Sequence, residues 1–260
     1  MRKSALWAAA ILLLPASLTV GEDKPARLTF DVASIKLAPA DEQNGGIKPL
    51  PGGNGYIAQN IPVKLMISLM YKVPMRQIVG GPDWLNSERY DVEARADRPY
   101  SVDDLHIMYQ NLLADRFNFK FHKESREGNV YALTVDKGGL KMKENDSPED
   151  MNIPITPAPG NKVIGKRVPM LYLCWFLGGQ LQNDARPVID RTGLDKNYDF
   201  TLSFAPQLPP GASRDSLPPE LQELPSIFDA VRDQLGLKLD ATKGPVAYYI
   251  IDHIDRPSPN

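Results

Sequence analysis

The order of apolar and polar residues predicts two kinds of element that recur along the chain. Apolar and polar residues alternate in residues 90–95 (YDVEAR) and again in residues 198–203 (YDFTLS). A period of two places the apolar side chains on one face, which predicts strands of a sheet with one face in solvent. Each strand is preceded by an apolar helix that follows a proline, Pro62 or Pro169, and proline is favoured in the first turn of a helix.

A second pair of helices is predicted by capping residues and by apolar spacing. Ser101 and Ser226 each have an aspartate three residues later, a pattern typical of a helix start. Apolar residues then recur at helical spacing: Leu105, Met108, Leu112 and Leu113 in the first helix, Ile227, Val231 and Leu235 in the second. Two short apolar stretches after each helix predict a closing hairpin, which would pair residues 117–122 with 130–135 and residues 237–240 with 246–252.

These elements return in the same order after about one hundred residues, which indicates an internal duplication. The sequence therefore predicts an α+β fold of two tandem repeats, each a strand-helix-strand-helix-strand-strand unit with mainly antiparallel sheets. The first repeat, with an N-terminal strand, covers residues 22–143, and the second covers residues 162–256. Residues 144–161 form an acidic, proline-rich linker, and residues 205–225 form an inserted loop in the second repeat that is either functional or disordered.

The first 21 residues are typical of a signal peptide. Arg2 and Lys3 precede an unbroken apolar run, residues 5–14, which is too short for a comfortable transmembrane helix. No cysteine follows the run, so a lipoprotein anchor is excluded. We expect a periplasmic or secreted protein with no stable membrane span after the signal is removed; the alternative is an uncleaved N-terminal anchor.

Charge and cysteine content exclude several classes of partner and site. The chain has 260 residues with 30 Lys and Arg against 32 Asp and Glu, a formal net charge of −2. This balance gives no basic surface for nucleic acid. The single cysteine, Cys174, excludes an intramolecular disulfide and any multi-cysteine metal site, and its apolar neighbours predict a buried core residue. No metal and no cofactor are expected.

The usual catalytic motifs are absent, so the candidate residues are weak candidates for ligand binding only. The chain contains no G-x-S-x-G, no phosphate-binding loop, no G-x-G-x-x-G and no H-E-x-x-H. Asp190 and Arg191 lie in the sequence D-R-T-G-L, where the arginine would grip a polar ligand. The favoured alternative is a structural turn in which Asp190 accepts backbone hydrogen bonds and Gly193 takes a positive φ.

Two further candidates are His253 and Trp84. His253 lies between Asp252 and Ile254, and an aspartate beside a histidine is able to orient the imidazole as a base. Adjacent residues of a strand point to opposite faces, however, so Asp252 is not expected to reach His253. Trp84, like Tyr56, would be able to stack on a sugar ring, although a lone aromatic residue is more often part of the core.

Taken together, several stretches resemble a soil-associated family of exported proteins that is abundant in Acidobacteria and is built on a domain of unknown function. The resembling stretches are residues 30–36, 77–85, 90–94, 112–117, 130–133, 187–194, 198–200, 234–237 and 251–258. The chain departs from the family at Gly128-Asn129, where Met-Pro is usual, and at Lys196-Asn197, where the turn usually contains glycine. Both departures are changes within turns.

The resemblance implies no activity, cofactor or catalytic residue. Related domains are fused behind membrane metallopeptidases of the antibiotic-sensing type, which implies an extracytoplasmic sensing or interaction role. The expected function is therefore a non-catalytic binding or sensing module of the cell envelope, with an envelope protein or a cell-wall fragment as its partner. The alternative is an envelope hydrolase that uses His253 and a nearby carboxylate.

Overall fold

The computed structural model describes residues 27–148, 152–181, 184, 186–208 and 211–257. The fold is mixed α+β, and its sheets are mainly antiparallel, as the sequence predicts. The predicted signal peptide lies outside the described residues. In the part of the chain that is described, no helix is long and apolar enough to cross a membrane.

The first half of the chain forms a four-stranded antiparallel sheet of strand order β1-β5-β3-β2. Its strands are β1 (Val32–Leu37), β2 (Gly46–Pro49), β3 (Gly55–Pro62) and β5 (Arg89–Arg95), and its helices are α1 (Val63–Tyr71), α2 (Trp84–Ser87) and α3 (Val102–Arg116). The predicted alternation in β5 is confirmed, because Tyr90, Val92 and Ala94 are buried and the residues between them are not.

The second half forms another four-stranded antiparallel sheet, of strand order β7-β11-β9-β8. Its strands are β7 (Lys143–Glu144), β8 (Ile155–Ala158), β9 (Lys162–Pro169) and β11 (Asn197–Ser203). Its helices are α4 (Met170–Gln180), the short α5 (Pro219–Gln222) and α6 (Ile227–Ala230), which continues as a π-helical turn to Leu235. The stretch predicted as a linker thus contributes β8, and the predicted insertion carries α5.

A third sheet joins the two halves. Its centre is an antiparallel pair of long strands, β6 (Lys120–Val135) and β12 (Leu237–His253). The short strands β4 (Ile78–Val79) and β10 (Val188–Asp190) lie at its edges, β4 parallel to β12 and β10 parallel to β6. Each half therefore adds its edge strand to the long strand of the other half.

The predicted closing hairpins are wrong. What was expected as two short strands in each half is one continuous strand, and the two long strands pair with each other across the halves. Gly128-Asn129 and Gly244-Pro245 resemble turns because glycine and proline usually interrupt strands. In the structure Gly128 and Gly244 face each other in the middle of the β6–β12 pair, and the ladder continues on both sides.

The two long strands complete both hydrophobic cores. Tyr249 and Ile251, from the end of β12, are part of the core of the first half. Leu237 and Leu239, from the start of the same strand, are part of the core of the second half, together with Leu133 of β6. Neither core is built from one half of the sequence alone.

The helix predictions are largely confirmed. The Ser101 and Ser226 hydroxyls accept hydrogen bonds from the backbone N–H groups of Asp104 and Asp229, at 3.1 and 3.2 Å. All seven predicted stripe residues are buried. Pro62 and Pro169 differ from the prediction, because each is the last residue of a strand and the N-cap of the next helix rather than a residue of the first turn.

Candidate functional site

A cleft of about 470 Å³ lies where both halves meet the central sheet. The first half provides the end of α1 and the turn after it, the second half provides α4 and β10, and the long strands provide the remaining wall. Its lining residues include Tyr71, Lys72, Gln77, Lys123, Leu171, Cys174, Trp175, Asp190 and Tyr249. A concave, mainly apolar site with a few polar groups is typical of a small-molecule site.

Tyr71 and Tyr249 form one wall of the cleft, and further aromatic rings pack behind them. Phe121 of β6 stacks on Tyr249 of β12 with ring centroids 4.9 Å apart, and on Phe119 at 5.2 Å. Tyr71, at the end of α1, contacts all three rings edge-on. Because these rings are fixed by a paired strand and by a helix, the wall is rigid and offers an aromatic surface to a ligand.

Lys72 enters the cleft from the C-cap of α1. Its backbone is left-handed, with φ of 53°, and its Nζ turns back to donate a hydrogen bond to the Leu69 carbonyl oxygen at 2.5 Å. The Nζ lies 5.1 Å from the Tyr172 ring centroid and 5.6 Å from that of Trp175, both on α4. Burial lowers the pKa of Lys72 to about 7, although the nearby Asp103 carboxylate opposes this effect.

A buried histidine and a buried tyrosine lie directly behind Lys72. His106 of α3 has its Nδ1 3.2 Å from Lys72 Nζ and its Nε2 3.1 Å from the Tyr56 hydroxyl. Burial, with a smaller effect of Lys72, lowers the pKa of His106 to about 3, so its imidazole is neutral. Burial, and to a lesser degree Tyr172, raises the pKa of Tyr56, so its phenol remains protonated.

Gln77 gives the cleft a buried acceptor. Its side chain is 6% exposed, and its Nε2 donates to the Ala247 carbonyl oxygen at 2.8 Å. Its Oε1 is buried and has no hydrogen-bond partner among the described residues. Because a buried carbonyl oxygen without a donor costs free energy, this atom is suited to accept from a bound water or ligand.

The cysteine in the cleft wall is not a nucleophile. Cys174 of α4 is buried in the second core, which confirms the prediction from its apolar neighbours. Burial, with a smaller effect of Asp190, raises the pKa of its thiol to about 12. Since the thiolate is the reactive form, Cys174 is inert at neutral pH.

Asp190 and Arg191 form a structural turn. The Asp190 Oδ1 accepts hydrogen bonds from the Thr192 backbone N–H at 2.9 Å and from the Thr192 hydroxyl at 2.7 Å. Gly193 has φ of 72°, as the structural interpretation requires. The Arg191 backbone N–H donates to the Leu133 carbonyl oxygen at 2.9 Å, which fixes the turn to β6. Asp190 also lines the cleft.

His253 and Asp252 point away from each other, as strand geometry predicts. Asp252 pairs with His122, Oδ1 to Nδ1 at 2.7 Å, whereas His253 Nε2 lies 2.9 Å from Asp255 Oδ2. Both histidines are half-exposed, and neither lines the cleft. Within the described ranges, no three His, Cys, Asp or Glu side chains are grouped so as to hold a metal ion.

Trp84 is a core residue of the first half, the role that the sequence analysis favours for a lone aromatic residue. It is 8% exposed, and its ring meets that of Tyr90 edge-on at a centroid distance of 6.4 Å. The Arg256 guanidinium covers the ring at 5.4 Å and is itself held by Glu88. Tyr56 is buried as well.

Sequence reasoning missed most of the cleft. Lys72 resembles an ordinary cap after an apolar helix, Gln77 precedes a short strand, and Trp175 lies within an apolar run. No local pattern distinguishes them, because the cleft exists only where three separate segments meet. One residue could have indicated the site from the sequence. His106 lies beside Leu105 in α3, and a histidine that is buried next to core residues needs a polar partner.

Comparison with known proteins adds one finding. The family model described as a protein of unknown function (DUF3738) matches residues 64–254. No curated protein and no solved structure matches the chain.

Proposed function

We propose that this chain, which belongs to a family of proteins of unknown function (DUF3738), is an exported, non-catalytic binding module of the cell envelope. Its ligand would occupy the cleft between the two halves. The observation that carries the proposal is the composition of that cleft: an aromatic wall, with the buried Gln77 carbonyl oxygen, which has no partner in the described part of the chain, beside it. Such a site combines apolar contact area with one directional acceptor.

The polar and aromatic side chains of the cleft favour a ligand with a ring and polar substituents. The Lys123 ammonium lies 5.0 Å from the Tyr249 ring centroid, at the aromatic wall. The Gln77 side chain would accept a hydroxyl or amide N–H, and Trp175 would offer a ring surface. Sugar rings stack on aromatic faces while their hydroxyl and amide groups make hydrogen bonds, so a cell-wall glycan fragment suits this set of groups.

The chemistry of the cleft supports binding rather than hydrolysis. Its thiol stays protonated, and its carboxylate, Asp190, accepts two hydrogen bonds from Thr192. The alternative function, an envelope hydrolase that uses His253 with a carboxylate, is supported by the 2.9 Å contact between His253 and Asp255. That pair lies on a half-exposed surface, which makes it the weaker proposal.

Export and duplication are parts of the same proposal. The charged and apolar pattern of residues 1–21 supports export, and the resemblance adds a soil bacterium as the source. N-terminal sequencing after osmotic shock should give a first residue between Ser17 and Lys24; an intact Met1 in the cytoplasmic fraction would contradict export.

Duplication is supported by the strand orders of the two outer sheets, β1-β5-β3-β2 and β7-β11-β9-β8. When the strands of each sheet are numbered along the chain, both sheets have the order first, fourth, third, second.

A matched pair of variants tests the cleft. Leu171 is 68% exposed and lies in the cleft wall, whereas Ile107 is 45% exposed on α3 and does not line the cleft. We expect glycan fragments released from peptidoglycan by a muramidase to bind the parent protein. Leu171→Glu should abolish that binding because it places a charge and added bulk in the wall, and Ile107→Glu should bind as the parent does.

The measurement is isothermal titration calorimetry on both variants, with thermal melts to show that they are folded. If the two glutamate variants bind equally well, the ligand binds outside the cleft and the proposed binding site is wrong. If the parent protein does not bind the fragments, the proposal that the ligand is a glycan is wrong.

A further inference from the structure

The hydrogen bonds behind the cleft determine where the protons of Lys72 lie. Tyr56 is buried, and among the described residues its hydroxyl meets one partner, His106 Nε2. If the hydroxyl donates to Nε2, the proton of the neutral imidazole lies on Nδ1 and faces Lys72 Nζ at 3.2 Å. An N–H that points at a nitrogen atom needs a lone pair on that nitrogen as its acceptor. Lys72 Nζ has such a lone pair only when the amine is neutral.

The opposite arrangement satisfies fewer groups. A charged Lys72 would donate to Nδ1, Nε2–H would then donate to the Tyr56 oxygen, and the buried tyrosine proton would have no acceptor among the described residues. An unpaired buried donor is costly. Geometry therefore favours an uncharged Lys72, in agreement with the lowered pKa that burial gives this amine.

Titratable groups reach Lys72 from every element around it. His106 and the Asp103 carboxylate belong to α3, Tyr56 belongs to β3, and Tyr172 belongs to α4. Burial, with a smaller effect of Asp103, raises the pKa of Tyr172 to about 12, so it is neutral near pH 7. The Asp103 carboxylate and the ring faces of Tyr172 and Trp175 favour the charged amine, and burial outweighs the effect of Asp103.

We propose that Lys72 is a covalent capture site, at which its amine condenses reversibly with an aldehyde or reactive ketone of a ligand in the cleft. The proposal rests on the proposed function, because it uses the same cleft and names the ligand class. The open-chain reducing end of a glycan fragment is an aldehyde of this kind. Desolvated lysines beside apolar walls are the form of lysine that acts as a nucleophile in proteins.

The reaction balances without any oxidant or reductant. The Nζ lone pair leaves its hydrogen bond with His106 Nδ1–H and forms a bond to the carbonyl carbon, and the carbonyl π electrons move to oxygen. His106 gives its Nδ1 proton to that oxygen and takes one from nitrogen, which leaves a neutral carbinolamine. A second transfer of the same kind releases water and forms the C=N bond. The amine loses both hydrogens, the water leaves with two, and His106 ends in its starting tautomer with one proton exchanged.

His106 and Tyr56 are positioning residues in this scheme. Tyr56 holds the imidazole tautomer, and His106 holds the amine neutral and carries its protons. The neighbouring Trp175 and Tyr249 rings give the ligand body an apolar surface. A neutral imine suits this buried site better than an ammonium does, since burial penalises charge.

Reductive trapping tests the capture. The full chain is incubated at pH 7 with para-formylbenzoate and cyanoborohydride, and modified lysines are located by peptide mass spectrometry. The control compound, para-(hydroxymethyl)benzoate, has the same shape and no carbonyl. We expect Lys72 to be labelled at least about tenfold faster than an exposed lysine outside the cleft such as Lys48, because burial favours the uncharged, reactive amine at Lys72.

The pH dependence of labelling shows whether Lys72 reacts fast because its amine is uncharged or only because it is accessible. Labelling of Lys72 should level off above about pH 7. Labelling of a lysine in a short unstructured peptide, added as a standard, should keep rising towards its pKa of about 10.4. His106→Asn should slow the trapping of Lys72 and leave the trapping of Lys48 unchanged. Lys72→Met should lose the fast adduct, and Lys48→Met, at an exposed position outside the cleft, should keep it.

Two outcomes overturn the capture: labelling of Lys72 no faster than that of Lys48, or a Lys72 profile that keeps rising with pH. Either result on the parent protein suffices, so the test does not depend on folding of the variants. Binding of muramidase fragments whose reducing ends have been reduced to alditols decides the proposed function separately. If those fragments bind and Lys72 is not labelled, the cleft stands as a non-covalent site.

Discussion

Single residues show which contacts are local enough for a sequence to reveal. The turn at Asp190 and Gly193 was predictable because its hydrogen bonds join residues two positions apart. The Lys72–His106 contact joins residues 34 positions apart, and the Tyr56–His106 contact joins residues 50 apart. No periodicity carries such information, because each residue alone satisfies the ordinary pattern of its own helix or strand.

The turn after β10 gives a prediction about stability. A Cβ at Gly193 would meet no atom within 4 Å, so Gly193→Ala tests backbone strain alone. We expect a loss of about 1 kcal/mol, since a positive φ is costly for alanine. Asp190→Ala should cost about as much, because it removes two hydrogen bonds to Thr192.

Arg191→Ala separates the structural role of this turn from ligand binding. We expect the melting temperature and the binding of glycan fragments to stay at parent values, because the Arg191 side chain is exposed and the turn uses its backbone N–H. Thermal melts and titration calorimetry on the three variants provide the measurement. Loss of binding in Arg191→Ala with an unchanged melting temperature would show that the arginine grips the ligand after all.

At the level of elements, both sheets share one irregularity that the sequence pattern did not reveal. In β3 the residue Asn60 has φ of 53°, and in β9 Arg167 has φ of 51°. In each case the ladder to the neighbouring strand shifts register. An aspartate of that strand, Asp91 or Asp199, accepts the displaced backbone N–H at 2.8 Å. The alternation predicted both strands and not the bulges, since a bulge depends on the partner strand.

Asp199 gives this irregularity a pH dependence. Burial alone would raise the pKa of its carboxyl, but hydrogen bonds from Asn145, the Arg167 N–H and Lys166 lower it. A carboxyl with a lowered folded-state pKa stabilises the fold above its unfolded-state pKa of about 3.9. This stabilisation is lost as the pH falls through the folded-state value.

We expect Asp199→Ala to lower the free energy of unfolding by about 1–2 kcal/mol at pH 7, as loss of hydrogen bonds to a charged group does. The difference from the parent should shrink as the pH is lowered towards 3. Asp41→Ala, at an exposed loop position, is the control and should change little. Chemical denaturation at several pH values measures the effect. A difference that is independent of pH would assign the stabilisation to packing rather than to the carboxylate.

At the scale of the whole molecule, local patterns predicted the α+β class and the helices, but not how the halves join. Glycine and proline were interpreted as the ends of short strands, whereas Gly128 and Gly244 lie within two long strands that pair along their length. Whether such a residue ends a strand depends on a partner more than one hundred residues away, which local propensity does not contain. The cleft could not be predicted for the same reason, because it forms where the halves meet.

The shared strands also predict that the halves depend on each other for folding. The end of β12 completes the first core, the start of β12 and part of β6 complete the second, and β4 and β10 each pair with the long strand of the other half. Fragments 22–148 and 149–260 should therefore each fail to give a cooperative melt alone. Mixed in equal amounts, they should give one transition, because the β6–β12 pair restores both cores at once.

Circular dichroism melts of the fragments, of their mixture and of the uncut chain make the comparison. A cooperative melt from either fragment alone would show that a half is an independent domain, and two separated transitions in the uncut chain would show the same.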